Sequence, residues 1–416
     1  MKATLLPAAL CTLFLAAGCA NRAASQVNTP AAPLPVPPPV AASSPITVPV
    51  TVPVTVESWA RPKPGWLYVL DREPQPGEHA GRIWLVDPET AKVTGSILTG
   101  ENPDFALSPN GERLYIAMDA NANSSELVVI DTARGAVMWK ETIANRVVAK
   151  GTPSFSSMAV SGDGQVLRMQ INSLGLAETD GFELASFDAG TGSLLPGRVH
   201  LGSCGYGHFV SFPSASEFVY WCPMTNRIRL IRVDAQSRAV QNIAVELPWQ
   251  RRFGVATAFA TPDGRATTIV RGDGAIFEMD DATQEFAATQ VQGGLFFQGR
   301  IPPTAWPISP DGSKVYVGYS HNPENRFYLD YGHDSSARFD FATADEFQAF
   351  DTGTWRGIGT IRTSMPFWSA SFSSDGKSLY ALVPKKHTLL VIDTRAMRQT
   401  RSIDVGGMPA LALVAP

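Results

Sequence analysis

From residue 66 onward the chain reads as short apolar runs separated by polar turns. Examples are "WLYVLD" at 66–71, "RLYIAMD" at 113–119, "SELVVID" at 125–131 and "TLLVID" at 388–393. Runs of this length, rich in Val, Ile, Leu and Tyr and bounded by Gly, Asp and Pro, predict β-strands. No apolar pattern of helical period interrupts them. One turn recurs before an apolar run: "SPNG" at Ser108, "SGDG" at Ser161, "TPDG" at Thr261, "SPDG" at Ser309 and "SSDG" at Ser373. A second signal closes other strands with an aspartate, at Asp87, Asp131, Asp188, Asp234, Asp280, Asp351 and Asp393. An Asp carboxylate suits that place because it can accept hydrogen bonds from the turn's backbone N–H groups.

The aspartate endings are spaced by 44, 57, 46, 46, 71 and 42 residues. One unit reads in full: "DFALS", the "PNG" turn, "RLYIAMD", "SELVVID" and "GAVMWKETI". Four strands per unit at periods of about 40–50 residues is the spacing of a β-propeller. The first unit lacks its leading strand, and the chain ends in an unmatched "GGMPALALVAP". The expectation is an all-β, seven-bladed β-propeller over 61–416 whose first blade is closed by the C-terminal strand. The units "SPDG…VYV" and "LLVIDT" resemble the YVTN-type seven-bladed propellers, which implies an architecture and no particular reaction.

The N-terminal segment is of another kind. "MKATLLPAALCTLFLAAGC" has a short basic start, an apolar core and a small-residue ending, so 1–18 reads as a signal peptide. "AAGC" resembles a bacterial lipobox, with Ala16 where Leu is usual. The resemblance implies cleavage before Cys19 and lipid on its thiol; an ordinary secretory signal is the alternative. No Asp follows Cys19, which on the same resemblance implies the periplasmic side of the outer membrane. Residues 19–60 are proline-rich and uncharged over 23–56. They read as a semi-rigid tether of polyproline type, or as an extended arm on the domain surface.

Composition narrows the partners. Charged residues are 17% and the net charge is −4, with no basic block, so nucleic acid is excluded as a partner. About 360 residues beyond the tether suffice for one large domain. Of four cysteines, Cys11 leaves with the signal and Cys19 carries the lipid. The remaining Cys204 and Cys222 suggest one disulfide in an exported domain, with two free buried thiols as the alternative. Two cysteines alone are too few ligands for a metal.

The stretch between them, "CGYGHFVSFPSASEFVYWC", and the preceding "GTPSFSSMAVSGDGQVL" are similar to the heavy chain of methylamine and aromatic amine dehydrogenases. That resemblance implies a periplasmic subunit that partners a separate, cofactor-bearing, cysteine-rich light chain. The chain itself has no such cysteine-rich region, so no cofactor is expected on it.

Candidate site residues come from the loops that would crowd one end of a propeller channel: Asp104, Ser154, His208, Arg251, Arg252, Thr304, Trp306, Phe367 and Trp368. Of these, His208, Arg251, Arg252, Trp306, Phe367 and Trp368 are the ligand-binding candidates; packing between units is the alternative for the aromatics. The six histidines form no HxH or HExxH pair, so no metal is expected. No G-x-S-x-G, phosphate-loop or dinucleotide motif stands in its required context, and no catalytic residue is assigned. The long gap before Asp351 holds an insertion over 322–345 whose Phe327, Tyr328 and Tyr331 are partner-binding candidates. The leading expectation is therefore a tethered binding scaffold for an envelope protein or small periplasmic ligand. The alternatives are a heavy-chain-like amine dehydrogenase subunit and a lactone hydrolase.

Overall fold

In the computed structural model, residues 54–416 are described except for connecting segments, the longest being 72–80, 148–155, 173–180, 234–239, 246–254, 291–306 and 331–337. They belong to one compact unit, Val48–Pro416. None of the described helices is long and apolar enough to cross a membrane.

The repeated turn follows from local chemistry. In "SPNG" the Gly111 N–H donates to the Ser108 carbonyl at 2.8 Å, and the Arg113 N–H donates to Ser108 Oγ at 2.9 Å. Gly111, Gly164, Gly312 and Gly376 take φ of 70°, 73°, 65° and 70°, where a side chain would be strained. The aspartate endings cap the next turn: Asp351 Oδ1 accepts from the Thr354 N–H and hydroxyl at 2.8 and 2.7 Å. The following threonine ties the two signals together. Thr132, Thr352 and Thr394 donate their hydroxyls to the carbonyls of Gly111, Gly312 and Gly376 at 2.6, 2.6 and 2.7 Å.

These turns join antiparallel strands into separate sheets. The strands Glu101–Leu107, Arg113–Asn121, Ser124–Asp131 and Ala136–Ile143 form one four-stranded sheet in chain order. The C-terminal strand Pro409–Val414 pairs with Leu67–Asp71, with Leu411 opposite Leu70. Thr55–Ser58 adds on the far side of the same sheet, opposite Ser96–Leu98. Trp59 then reaches the neighbouring sheet, donating its indole N–H to the Thr132 carbonyl at 2.8 Å.

Sheets pack face to face, so strands such as Arg113–Asn121 are buried on both faces. Leu114, Ile116 and Met118 meet the N-terminal sheet, while Tyr115 and Ala117 meet Leu167, Met169 and Ile171 on the other side. This double burial explains the near-continuous apolar runs of the sequence.

The expected closed seven-bladed propeller of equal four-stranded units is corrected. The described strands form separate open sheets of two to five strands, and no sheet curls closed. Among the described residues the sheet of Lys314–Tyr319 has three strands, preceded by the isolated bridge Ile308–Val315. The insertion is a hairpin of its own, Arg326–Asp330 against Arg338–Ala342. The predicted disulfide is also not supported. Cys204 lies outside the described residues, and Cys222 lies on Glu217–Pro223, where its backbone faces Arg229.

The turn carboxylates predict acid sensitivity. Hydrogen bonds from the Lys377 side chain and backbone and from Ser373, with a smaller share from the Lys377 charge, lower Asp375 to about 2. Hydrogen bonds led by the Ser309 and Thr191 contacts also lower Asp311 and Asp188. A lowered folded pKa gives stability that is present above the unfolded value, about 3.9, and is lost as pH falls through the folded value. Thermal melts should therefore fall progressively from about pH 4 to about pH 2. Asp375→Asn should start lower and fall less. A melting temperature flat across that range would contradict the turn account.

Candidate functional site

The base of the inserted hairpin gathers the chemistry that no motif announced. Three adjacent strands, Lys314–Tyr319, Ala344–Asp351 and Gly357–Phe367, place Tyr319, Glu346 and Arg362 in one cross-strand row. Cross-strand neighbours on one face are within side-chain reach, and Arg362 Nε lies 3.4 Å from Glu346 Oε2. His321 lies two residues beyond Tyr319, its ring edge-on to Tyr319 with centroids 4.8 Å apart. Strand pairing is interrupted between Ala344 and Glu346. Such an interruption re-aims a side chain, and here Asp345 turns to His321. Thr363 Oγ1 donates to the Asp345 carbonyl at 3.0 Å and holds that geometry.

The Asp345 carboxylate accepts from the His321 backbone N–H at 3.1 Å and lies 2.8 Å from His321 Nδ1. A carboxylate only accepts, so in the neutral ring the hydrogen sits on Nδ1 and the lone pair on Nε2. Nε2 has Arg362 Nη2 at 3.4 Å and Glu346 Oε2 at 3.7 Å. The His321 side chain is 40% exposed and Arg362 76% exposed, while Glu346 is 9% exposed. An imidazole oriented by a carboxylate on a partly exposed side chain is the geometry of a general base.

The sequence candidates fall elsewhere. Phe367 is buried and stacks on Phe347 with centroids 4.0 Å apart; Trp368 is buried beside it in the chain. His208 begins the strand His208–Ser214, with its backbone opposite Trp221. Phe327 and Tyr328 lie on the hairpin, opposite Phe341 and Asp340. Ser154, Arg251, Arg252, Thr304, Trp306, Tyr331 and Cys19 lie outside the described residues. Asp104 is buried, its carboxylate accepting from the Ser157 N–H and hydroxyl, each at 2.6 Å. Near it, the Tyr220 hydroxyl donates to Gln170 Oε1 at 2.9 Å, and burial, then the Asp104 charge, raises its pKa. Arg168, over the Phe218 ring at 4.2 Å, is lowered to about 10 by burial. These groups join neighbouring sheets and are closed to a substrate.

Two other arrangements were open to chemistry. A cleft of about 390 Å³ lies between the turns at Ser309 and Ser374, but its Asp311 and Asp375 are engaged in those turns. Among the described residues no three His, Cys, Asp or Glu side chains converge to hold a metal ion. His321 contacts Asp345, Glu346 and Arg362, and Arg362 contacts Glu346. The signals that point to this site are slight: a histidine just after a strand, and "DE" at 345–346 behind an insertion.

No family model and no curated protein matches this chain. The expected resemblance to YVTN-type propellers and amine dehydrogenase heavy chains is corrected: what the structure shows is an all-β fold of several open sheets. The expected role as a binding scaffold lacking a catalytic centre rested on that closed architecture and is not supported. Solved structures are similar in fold. A chain of Kuenenia stuttgartiensis hydrazine synthase matches with TM-score 0.54 and 16% identity over 76% of this chain and 90% of that one. A putative 6-phosphogluconolactonase from Bacteroides fragilis matches with TM-score 0.54 and 13% identity over 84% and 97%. The Cps50 (Swd1) beta-propeller domain of Myceliophteria thermophila matches with TM-score 0.51 and 11% identity over 74% and 87%. At these identities the likeness is one of fold alone.

Proposed function

We propose that this chain is a hydrolase that opens lactones, cyclic esters, by general-base catalysis at His321. The observation that carries the reading is the His321–Asp345 pair, which orients the ring and turns Nε2 toward Arg362 and Glu346 on a side chain that is 40% exposed. The substrate class is suggested by the putative lactonase that shares the fold. Water held at Nε2 gives its proton to the imidazole as its oxygen bonds to the ester carbonyl carbon. The ring C–O bond then breaks, and the imidazolium returns the proton to the leaving alkoxide, giving a hydroxy acid. Asp345 at Nδ1, with Glu346 near Nε2, stabilises the transient imidazolium. We take with this the reading of "AAGC" as a lipidation site at Cys19, on sequence alone; it makes the protein an exported enzyme tethered in the envelope.

Base uptake in a pH-stat on a panel of five- and six-membered lactones tests the reading. Asp345→Asn favours the wrong tautomer and should lower kcat by about 10²- to 10⁴-fold, with little change in melting temperature. Equal rates for the two proteins would remove Asp345 and the dyad from the mechanism.

A further inference from the structure

The Arg362 guanidinium stands in the way of the base it adjoins. Its Nη2 lies 3.4 Å from His321 Nε2, on the lone pair that water must use. Its Nε lies 3.4 Å from Glu346 Oε2, a long contact for a charged pair. The side chain is 76% exposed, and guanidinium donors beyond these two remain to face solvent. A group held by two long contacts, with a planar fork turned outward, suits a two-oxygen anion.

We propose that Arg362 is the receptor for an anionic substituent on the substrate, a carboxylate or phosphate, and that taking this anion draws the guanidinium off His321 Nε2 and uncovers the base. This rests on the lactone hydrolase reading and names its substrate class as acidic lactones. Glu346 then has a second effect: it offers Arg362 a competing carboxylate, so an anion must win the guanidinium from it. Binding and activation of the base are thereby coupled. A neutral lactone meets a base still covered by a cation.

Three lactones of one ring size decide this: a neutral one, one bearing a carboxylate and one bearing a phosphate. The wild type should show kcat/KM about ten- to a hundredfold higher for the acidic pair, the range of one charge-assisted contact. Arg362→Gln should abolish that preference, raising KM for the acidic lactones while kcat/KM for the neutral one rises. Arg362→Lys should restore part of the KM effect but not the two-pronged fit. Inorganic phosphate should compete with the acidic lactones on the wild type, and not on Arg362→Gln, while it speeds wild-type hydrolysis of the neutral lactone. A preference for only one of the acidic pair identifies which anion is bound and supports the proposal. Equal kcat/KM for neutral and acidic lactones, or an Arg362→Gln loss shared by all three, would overturn the proposal and leave the hydrolase standing. Hydrolysis of none of the three would overturn both.

Discussion

Deleting residues 409–416 is expected to leave a chain that does not fold. The strand Pro409–Val414 is paired along its length with Leu67–Asp71, and the pairing continues where Ala415 and Trp66 exchange a bond at 2.7 Å. Ala410, Leu411, Ala412 and Ala415 are buried. The next sheet holds the same strand: Ser369 and Ser371 donate their hydroxyls to the Ala410 and Ala412 carbonyls at 3.3 and 2.8 Å. Loss of Leu411 burial alone removes roughly 1.5–3 kcal/mol. Each buried backbone group left without a partner adds about 1–3 kcal/mol. The total exceeds or approaches the roughly 5–15 kcal/mol of a folded domain. A milder version is Asp71→Ala, which orphans the Met408 N–H now bonded at 2.8 Å; it should cost about 1–3 kcal/mol and lower the melting temperature. A truncated protein that melts cooperatively near the wild-type temperature would show that this strand does not hold the sheet.

His321→Ala should lower lactone hydrolysis by about 10²- to 10⁴-fold, since the base is lost outright. The fold should survive, because the ring is 40% exposed and its partners keep other bonds: Glu346 retains Arg362, and Asp345 retains the residue 321 N–H. A melt within a few degrees of wild type, measured beside the rate, separates lost chemistry from lost structure. A variant that folds and hydrolyses normally would show that His321 is only a brace for the hairpin base.

What the chain disclosed in advance was what local chemistry sets. The turn at Ser309 needs a glycine at positive φ and an Asp and Ser that cap it, all within five residues, so its recurrence was visible. Strand endings at Asp131 and Asp393 were visible for the same reason. Pairing across distance was not. The strand Thr55–Ser58 looked like tether because its partner, Ser96–Leu98, lies about forty residues on. The three-stranded sheet of Lys314 departs from the expected four-strand unit: among the described residues the chain before it meets that sheet at Pro307–Ser309, through the bridge Ile308–Val315 and the flanking backbone bonds. The aromatic candidates Phe367 and Trp368 went into the core, since nothing in their neighbours' composition distinguishes a rim from an interior. The dyad stayed hidden for a geometric reason. His321 and Asp345 are 24 residues apart, joined only because the hairpin between them folds back on itself and the strand pairing breaks at Asp345.

The central claim is that water, activated at His321, opens a cyclic ester. The most direct measurement is a single turnover of an acidic lactone by excess wild-type protein in ¹⁸O-water, with the product read by mass spectrometry. Each product should carry one ¹⁸O atom, in the new carboxylate, and should form far faster than with His321→Ala. No product above the spontaneous rate, or label in the freed hydroxyl instead of the carboxylate, would contradict it.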